Sequence, residues 1–383
     1  MDDVSAASVV GVGTTAFGSL PGCSADDLAG WALRGALRDA GLHPSDVDGM
    51  VAVRVGSYET VAADCGIQPR WAVQLPAEGR MTGPAIELAA MALHTGRCRT
   101  VALVYGNDGR SRGATYGAGG SGATAAAEGY GTAPELAQRY GMTSPGAFFA
   151  LMLQRYRYLY GGTEEQLAAV ATTFRAHAAR NEAAVLRDPV SVDDYLASRY
   201  IVEPLHLLDY CLINDGGVAL VVTTRERARD LPRRPVHVLA SAQRGRFVGS
   251  DHPPEDFWAE ALAAVGQDVF RAAGRDRSEV DALMVYDNFS PNVLFTLEGL
   301  GFCGRGESGE WIQDGRIGLG GELPCNTSGG HLSEGYLQGW GLVAEAVRQL
   351  RGECGDRQVE GASLVQYACA APIVSSVLFG TEV

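Results

Sequence analysis

The stretch ADDLAGWALRGALRDAGLHPSDVDGMVAV (Ala25 to Val53) returns much later in this chain as EDFWAEALAAVGQDVFRAAGRDRSEVDALMVY (Glu255 to Tyr286). Gly41, Ser45, Val47 and Asp48 recur as Gly274, Ser278, Val280 and Asp281 at one constant offset, so the register holds without a gap. Both copies predict an amphipathic helix, a glycine stop, a polar turn and a buried strand. The offset exceeds half the chain, far beyond the roughly 20–50 residues of a solenoid repeat. It marks a duplicated domain.

A length of 383 residues gives room for two such units and a large core. The net charge of −14 argues against nucleic acid, whose phosphates require clustered cations. The opening MDDVSAASVVGVG has neither the basic stretch nor the apolar run of a signal peptide, and no segment approaches the roughly 20 apolar residues of a membrane span, so a cytoplasmic location is expected. Eight scattered cysteines with no CxxC pair suggest neither a structural zinc site nor a disulfide framework. All 31 basic residues are arginine. Without lysine the chain cannot form a Schiff base, attach pyridoxal phosphate or build a P-loop.

Patterning predicts a helix over 26–40, a strand over 49–55, a turn at 78–83, a helix over 84–94 and a strand over 100–105. A Gly-rich loop (119–131) then enters an insertion reaching about residue 210, whose Phe148, Phe149, Tyr156, Tyr158 and Tyr160 either pack a small core of their own or face a bulky apolar ligand. NDGGVALVVTT (Asn214 to Thr224) completes the first half. The second half repeats the order after RARDLPRRP: a strand, a helix to Ala273, a strand over 282–286, a Gly-rich turn, a helix over 336–350 and a strand over 363–368. The expected units are 1–115 with 211–230, the insertion 116–210, and 231–383. Two sheets wrapped in helices make a five-layered α/β/α/β/α body. Gly11-Val12-Gly13-Thr14-Thr15-Ala16 fits a GxGxxA nucleotide pattern, but a Pro-containing loop separates it from its helix, so no dinucleotide site is expected.

With NDGGVALVV, LEGLGFCGRGESG (Leu297 to Gly309), LPCNTSGGHLSEGY (Leu323 to Tyr336) and the C-terminal ACAAPIVSSVLFG, the duplicated chain resembles the thiolase superfamily, in its sterol-carrier and lipid-transfer branch. The resemblance implies a thiolase fold with an inserted loop domain. Thiolases of this family place a nucleophilic cysteine at the start of the first half's central helix, where this chain reads EGRMTG with Arg80 at that position. Two family histidines are also replaced: the HDCF-like motif reads Tyr286-Asp287-Asn288-Phe289, and the Gly-His-Pro motif reads Gly335-Tyr336-Leu337. Cys369 matches the family's C-terminal acid/base cysteine, although Ala370, Ala371 and Pro372 stand in place of glycines.

This pattern is similar to thiolase-like aldolases of bacterial steroid side-chain degradation. The resemblance implies retro-aldol cleavage of a β-hydroxyacyl-CoA to a ketone and a short acyl-CoA such as propionyl-CoA, with Tyr286 and Tyr336 as acid/base groups and Cys369 beside them. Tyr286 is expected at the carboxyl end of a strand and Tyr336 at the start of a helix, whose dipole favours a phenolate. Asn288, Asn326, Ser328, Gly329, Gly330 and Arg80 are the candidate substrate contacts, the turn's backbone amides being suited to a thioester oxygen. His331 and Cys325 flank that turn but lack partners at metal-ligand spacing, so no metal is expected. Nor is a covalently bound cofactor; coenzyme A enters as part of the substrate.

The resemblance further implies a homodimer and a small zinc-ribbon/OB-fold subunit, together a heterotetramer. The strand over 100–105 is the expected dimer edge, because an uncovered edge exposes unpaired amides. Two other functions fit the same chain: a thiolase-like acyltransferase using another nucleophile, and a non-catalytic lipid or acyl-CoA carrier subunit.

Overall fold

In a computed structural model, residues 7–77, 79–115, 145–245 and 254–382 are described. The loop read over 119–131 and Glu78 of the turn lie outside them. The main strands, in chain order, are β1 (Ala7–Thr14), β2 (Gly49–Val53), β3 (Trp71–Leu75), β4 (Thr100–Asn107), β5 (Gly216–Thr224), β6 (Val236–Gly245), β7 (Ala282–Val285), β8 (Leu364–Cys369) and β9 (Ile373–Gly380). The principal helices are α1 (Ala25–Ala40), α2 (Tyr58–Cys65), α3 (Thr82–His94), α4 (Pro145–Tyr160), α5 (Glu164–Ala179), α6 (Ala259–Ala273), α7 (Ser290–Leu300) and α8 (Trp340–Arg351).

The strands run β3-β2-β4-β5-β1-β6-β9-β8-β7, and only the pairs Ser8–His237 and Val9–Val236 join β1 to β6. On either side of that joint the order is the same, because an isolated parallel bridge from Leu283 to Cys325 takes, beside β7, the place that β3 takes beside β2. The duplication read from the sequence is therefore a duplication of topology.

Its repeated residues have matching work. Gly41 and Gly274 end α1 and α6 in the left-handed region, at φ 67° and 64°, where a side chain would strain the backbone. Asp48 accepts the amides of Arg99 and Thr100 at 2.8 and 2.9 Å, and Asp281 accepts those of Ser363 and Leu364 at 2.7 and 2.9 Å. Each carboxylate thus fixes the start of the strand that runs parallel to its own. Gly11 and Gly13, the suspected nucleotide glycines, lie against the Ala36 and Ala32 carbonyls of α1, so they serve close helix–strand contact.

Three cores fill the layers. On one outer face α1 packs Ala29, Leu33 and Leu37 on Val10, Met50 and Val104. Between the sheets, α3 (Ile86, Ala89, Leu93) and α8 (Leu342, Val343, Val347) share one core with Leu103 and Leu220 of the first sheet and Met284, Tyr367 and Phe379 of the second. On the far face α6 and α7 pack together with the insertion. The order is α/β/α/β/α.

The structure corrects several expectations. β4 is an interior strand, paired with both β2 and β5, so the edge of the first sheet is β3, a short half-exposed strand that the patterning missed along with α2 and α7. The helix expected over 336–350 begins at Trp340, because Gln338 and Gly339 have φ of 51° and 93° and cannot continue a right-handed helix. The aromatics of α4 do not form a separate core: Phe149 stacks on Phe289 and Trp258, and Tyr156 on Phe257 and Phe295, all from the second half, whereas Tyr158 is exposed.

Replacing Asp281 by alanine removes the anchor of β8 and strands two amides at the start of a core strand. The expected loss of stability is about 1–3 kcal/mol, read as a lower urea midpoint; an unchanged midpoint would refute the anchoring role.

Candidate active site

Tyr286 leaves the end of β7, its amide donating to the Ala368 carbonyl of β8 at 2.9 Å and its carbonyl accepting the Asn292 side-chain amide at 2.9 Å. The same Asn292 nitrogen reaches Asn288 Oδ1 at 3.0 Å and the Ala370 carbonyl at 3.1 Å, tying the 286–288 loop to the turn after Cys369. Tyr336 sits in the turn before α8, where its amide donates to Asn214 Oδ1 at 2.6 Å. The two phenol hydroxyls meet at 2.8 Å, with the rings edge to face. Tyr286 is buried and Tyr336 half-buried.

The first half approaches this pair through the start of α3. A Cβ on Gly79 would overlap the Tyr286 hydroxyl, so only glycine admits the phenol there. Arg80 follows in the single turn that leads into α3, where the expected cysteine position lies. Thr82 Oγ1 donates to the Gln338 carbonyl at 2.6 Å, joining the start of α3 to the turn that carries Tyr336.

Cys369 is the last residue of β8 and is wholly buried. Burial pushes its thiol up to about 12, while a hydrogen bond from Tyr367 and the charge of Arg80 pull the other way. The group is a protonated thiol at neutral pH, suited to giving a proton and ill suited to nucleophilic attack.

The turn expected to hold a thioester oxygen is largely occupied with its own support. Asn326 bonds both the amide and the carbonyl of Val285, at 2.7 and 2.9 Å, like a strand partner made from a side chain. Its backbone amide donates to Leu283, the Gly329 amide closes on the Asn326 carbonyl at 2.8 Å, and Ser328 Oγ donates to Glu334 at 2.6 Å. Gly330, at φ 60°, lies so close to Asp287 that a Cβ would collide with the carboxylate. These residues therefore shape the site more than they offer donors to it, and Asn288 is likewise engaged with Asn292 and with the Cys211 amide.

Asp287, His331, Asn292, Asn214 and Tyr367 belong to the site without any sequence signal that set them apart as such. Burial pushes Asp287 up to about 8 against the lowering effect of the amides of His331 and Leu332 that it accepts, and burial holds His331 down at about 3. From the insertion, α5 supports the turn: His177 contacts the Asn326 carbonyl at 3.2 Å, and Asn181 donates to the Ser328 carbonyl at 3.0 Å. Among the described residues, no group of three or more His, Cys, Asp or Glu side chains is placed to hold a metal ion, and no helix is long and apolar enough to cross a membrane.

Comparison with known proteins identifies the family. Residues 250–376 match the thiolase C-terminal domain-like family. The chain is 36% identical to the steroid side-chain-cleaving aldolase of Thermomonospora curvata, with 98% of each chain covered. It is 38% identical to the 17-hydroxy-3-oxo-4-pregnene-20-carboxyl-CoA lyase of Mycobacterium tuberculosis, over 90% of this chain and 92% of that one. A solved Ltp2-ChsH2(DUF35) aldolase superposes with a TM-score of 0.87 at 36% identity, covering 98% of both chains. With the duplicated topology, the paired hydroxyls and relatives this similar over nearly their whole length, the chain belongs to the thiolase superfamily, in the branch that holds the steroid side-chain-cleaving aldolases.

Proposed function

We propose that this protein cleaves a steroid-derived β-hydroxyacyl-CoA by a retro-aldol reaction, releasing a ketone and a shorter acyl-CoA such as propionyl-CoA. The observation that carries the reading is the 2.8 Å contact between the Tyr286 and Tyr336 hydroxyls, two proton-exchanging oxygens brought together from two distant segments of the second half. One phenol oxygen takes the proton of the substrate hydroxyl as it passes its own to the other, which enters the cycle as a phenolate. The carbon–carbon bond breaks, the former carbinol becomes a ketone, and the bonding electrons enter the thioester as an enolate. Cys369 protonates the enolate carbon and regains its proton from the tyrosine pair, so the sum is one acyl-CoA in and a ketone plus an acyl-CoA out.

Arg80, with the positive end of α3 behind it, supplies charge for the enolate oxygen. Asn288, Asn326, Ser328, Gly329 and Gly330 wall the pocket in which the thioester lies. The coenzyme A part of the substrate is the only cofactor the chemistry requires.

For assembly, we propose a homodimer formed along β3, the edge strand of the first sheet among the described residues, and a small zinc-ribbon/OB-fold subunit completing a heterotetramer. A solved relative named together with a DUF35 partner supports the second part. A net charge of −14 gives poor long-range attraction for an anionic CoA ester, which a partner subunit can offset.

Three outcomes test these readings. With 17-hydroxy-3-oxo-4-pregnene-20-carboxyl-CoA as substrate, Tyr286→Phe and Tyr336→Phe each lower kcat about 100-fold or more, measured by ketone release; near-normal kcat in a folded variant would take that residue out of the mechanism. Because Cys369 is wholly buried and its thiol pushed up to about 12, iodoacetamide at pH 7 leaves activity intact while it alkylates the half-buried Cys23; fast inactivation tracking modification of Cys369 would instead favour an acyltransferase. Light scattering of the isolated chain gives the mass of two copies, and co-expression with the small subunit raises turnover; a single-copy mass or unchanged turnover would remove the corresponding interface.

A further inference from the structure

His331 opens the short helix Gly330–Ser333 and is fully buried. Its Nε2 accepts the Gly339 amide at 2.9 Å, which leaves the ring proton on Nδ1, 3.3 Å from Asp287 Oδ1. Gly339 stands in the same turn as Tyr336, three residues on, and Asp287 directly follows Tyr286. The imidazole also touches both phenol rings edge to face, Tyr286 at 4.8 Å and 79°, Tyr336 at 5.1 Å and 85°. One residue is thus tied to each tyrosine-bearing segment, to Gly339 through its ring Nε2 and to Asp287 through its backbone amide at 3.0 Å, and its ring packs against each tyrosine.

We propose that His331 is the positioning residue that holds the Tyr286 and Tyr336 hydroxyls together, an inference that rests on reading this pair as the proton-transfer group. The two tyrosines lie fifty positions apart on different segments, so nothing local to either ring sets the distance between their oxygens. A flat, buried ring that packs edge to face on both phenols does, and its hydrogen bond from the Gly339 amide limits its freedom to turn. Misplacing a reacting group by about 1 Å can cost on the order of 100-fold in rate. His331 does not itself carry protons: burial keeps it neutral throughout the working pH range. The support is also closed from behind, because a Cβ on Gly339 would overlap the Tyr367 hydroxyl and fix the turn against β8 from the other side.

The test uses two variants of the full chain. His331→Gln retains an acceptor for the Gly339 amide but has no ring, whereas His331→Phe retains a ring but neither nitrogen. With 17-hydroxy-3-oxo-4-pregnene-20-carboxyl-CoA, kcat is expected to fall about 10- to 100-fold in both, with KM within about threefold of the parent. Crystal structures of both variants are expected to show the two hydroxyls beyond hydrogen-bond reach. A kcat within twofold of the parent, a loss confined to KM, or an intact hydroxyl contact in either variant would overturn the proposal. So would failure of both variants to fold, which would make His331 a packing residue. If the parent itself fails to cleave this substrate, the lyase reading falls, while the hydroxyl separation in the variants still decides whether His331 positions the pair.

Discussion

The whole arrangement depends on the central layer, where α3 and α8 share one apolar core between the two sheets. Each helix belongs to a different half, and each presents small or branched apolar side chains to both sheets at once, Ala85, Ala89 and Ala90 from one, Val343, Ala346 and Val347 from the other. Burial of this kind is the main favourable term in folding. Here it also decides where polar groups end up, because the N-terminal approaches of the two helices are brought side by side and Thr82 closes the joint on the Gln338 carbonyl. Arg80 and Tyr336 reach one cleft for this reason.

Around the cleft several buried side chains pair with backbone, and this braces the site. Asn326 stands in for a strand partner of Val285, Asn292 joins three carbonyl-side oxygens of two loops, and Asn214 receives the Tyr336 amide. Behind the turn, Glu345 is bonded by both nitrogens of the Arg357 fork at 3.0 and 3.1 Å and by Thr327 at 2.9 Å. A buried carboxylate is tolerated only when paired in this way. The result is a wall of fixed dipoles around two phenols and a thiol, an environment that stabilises developing charge without reorganising.

The low polarity of the same environment separates this chain from a thiolase in which cysteine attacks. Burial raises the Cys369 thiol, and the first-half position where a thiolate would gain from the helix dipole carries Arg80 instead. A cation at a helix N-terminus is unfavourable on its own, which the proposed reaction would offset by the negative charge it develops.

Much of this was legible in the residues. The matched glycines and aspartates of the two halves announced the duplication, since a left-handed helix stop and a strand-anchoring carboxylate are local requirements that each copy must meet separately. Tyr286, Tyr336, Cys369 and Arg80 could be placed as site residues only through the family motifs they occupy, because a tyrosine at a strand end has no periodic signature of function. What remained hidden was whatever depends on contact across the chain. The edge of the first sheet was misassigned because strand order is set by hydrogen bonding between distant segments, and β3 is too short and too evenly half-exposed to announce itself. The start of the helix after Tyr336 was misjudged because Gln338 and Gly339 take positive φ angles, with Gly339 packed against Tyr367 and Thr82. The sequence by itself determined a duplicated α/β chain without lysine and with tyrosines at two histidine positions. Only the tertiary structure decided that those tyrosines touch and that His331 packs against both, because a distance between side chains fifty residues apart is fixed by the packing of the layers and by no local preference of either segment.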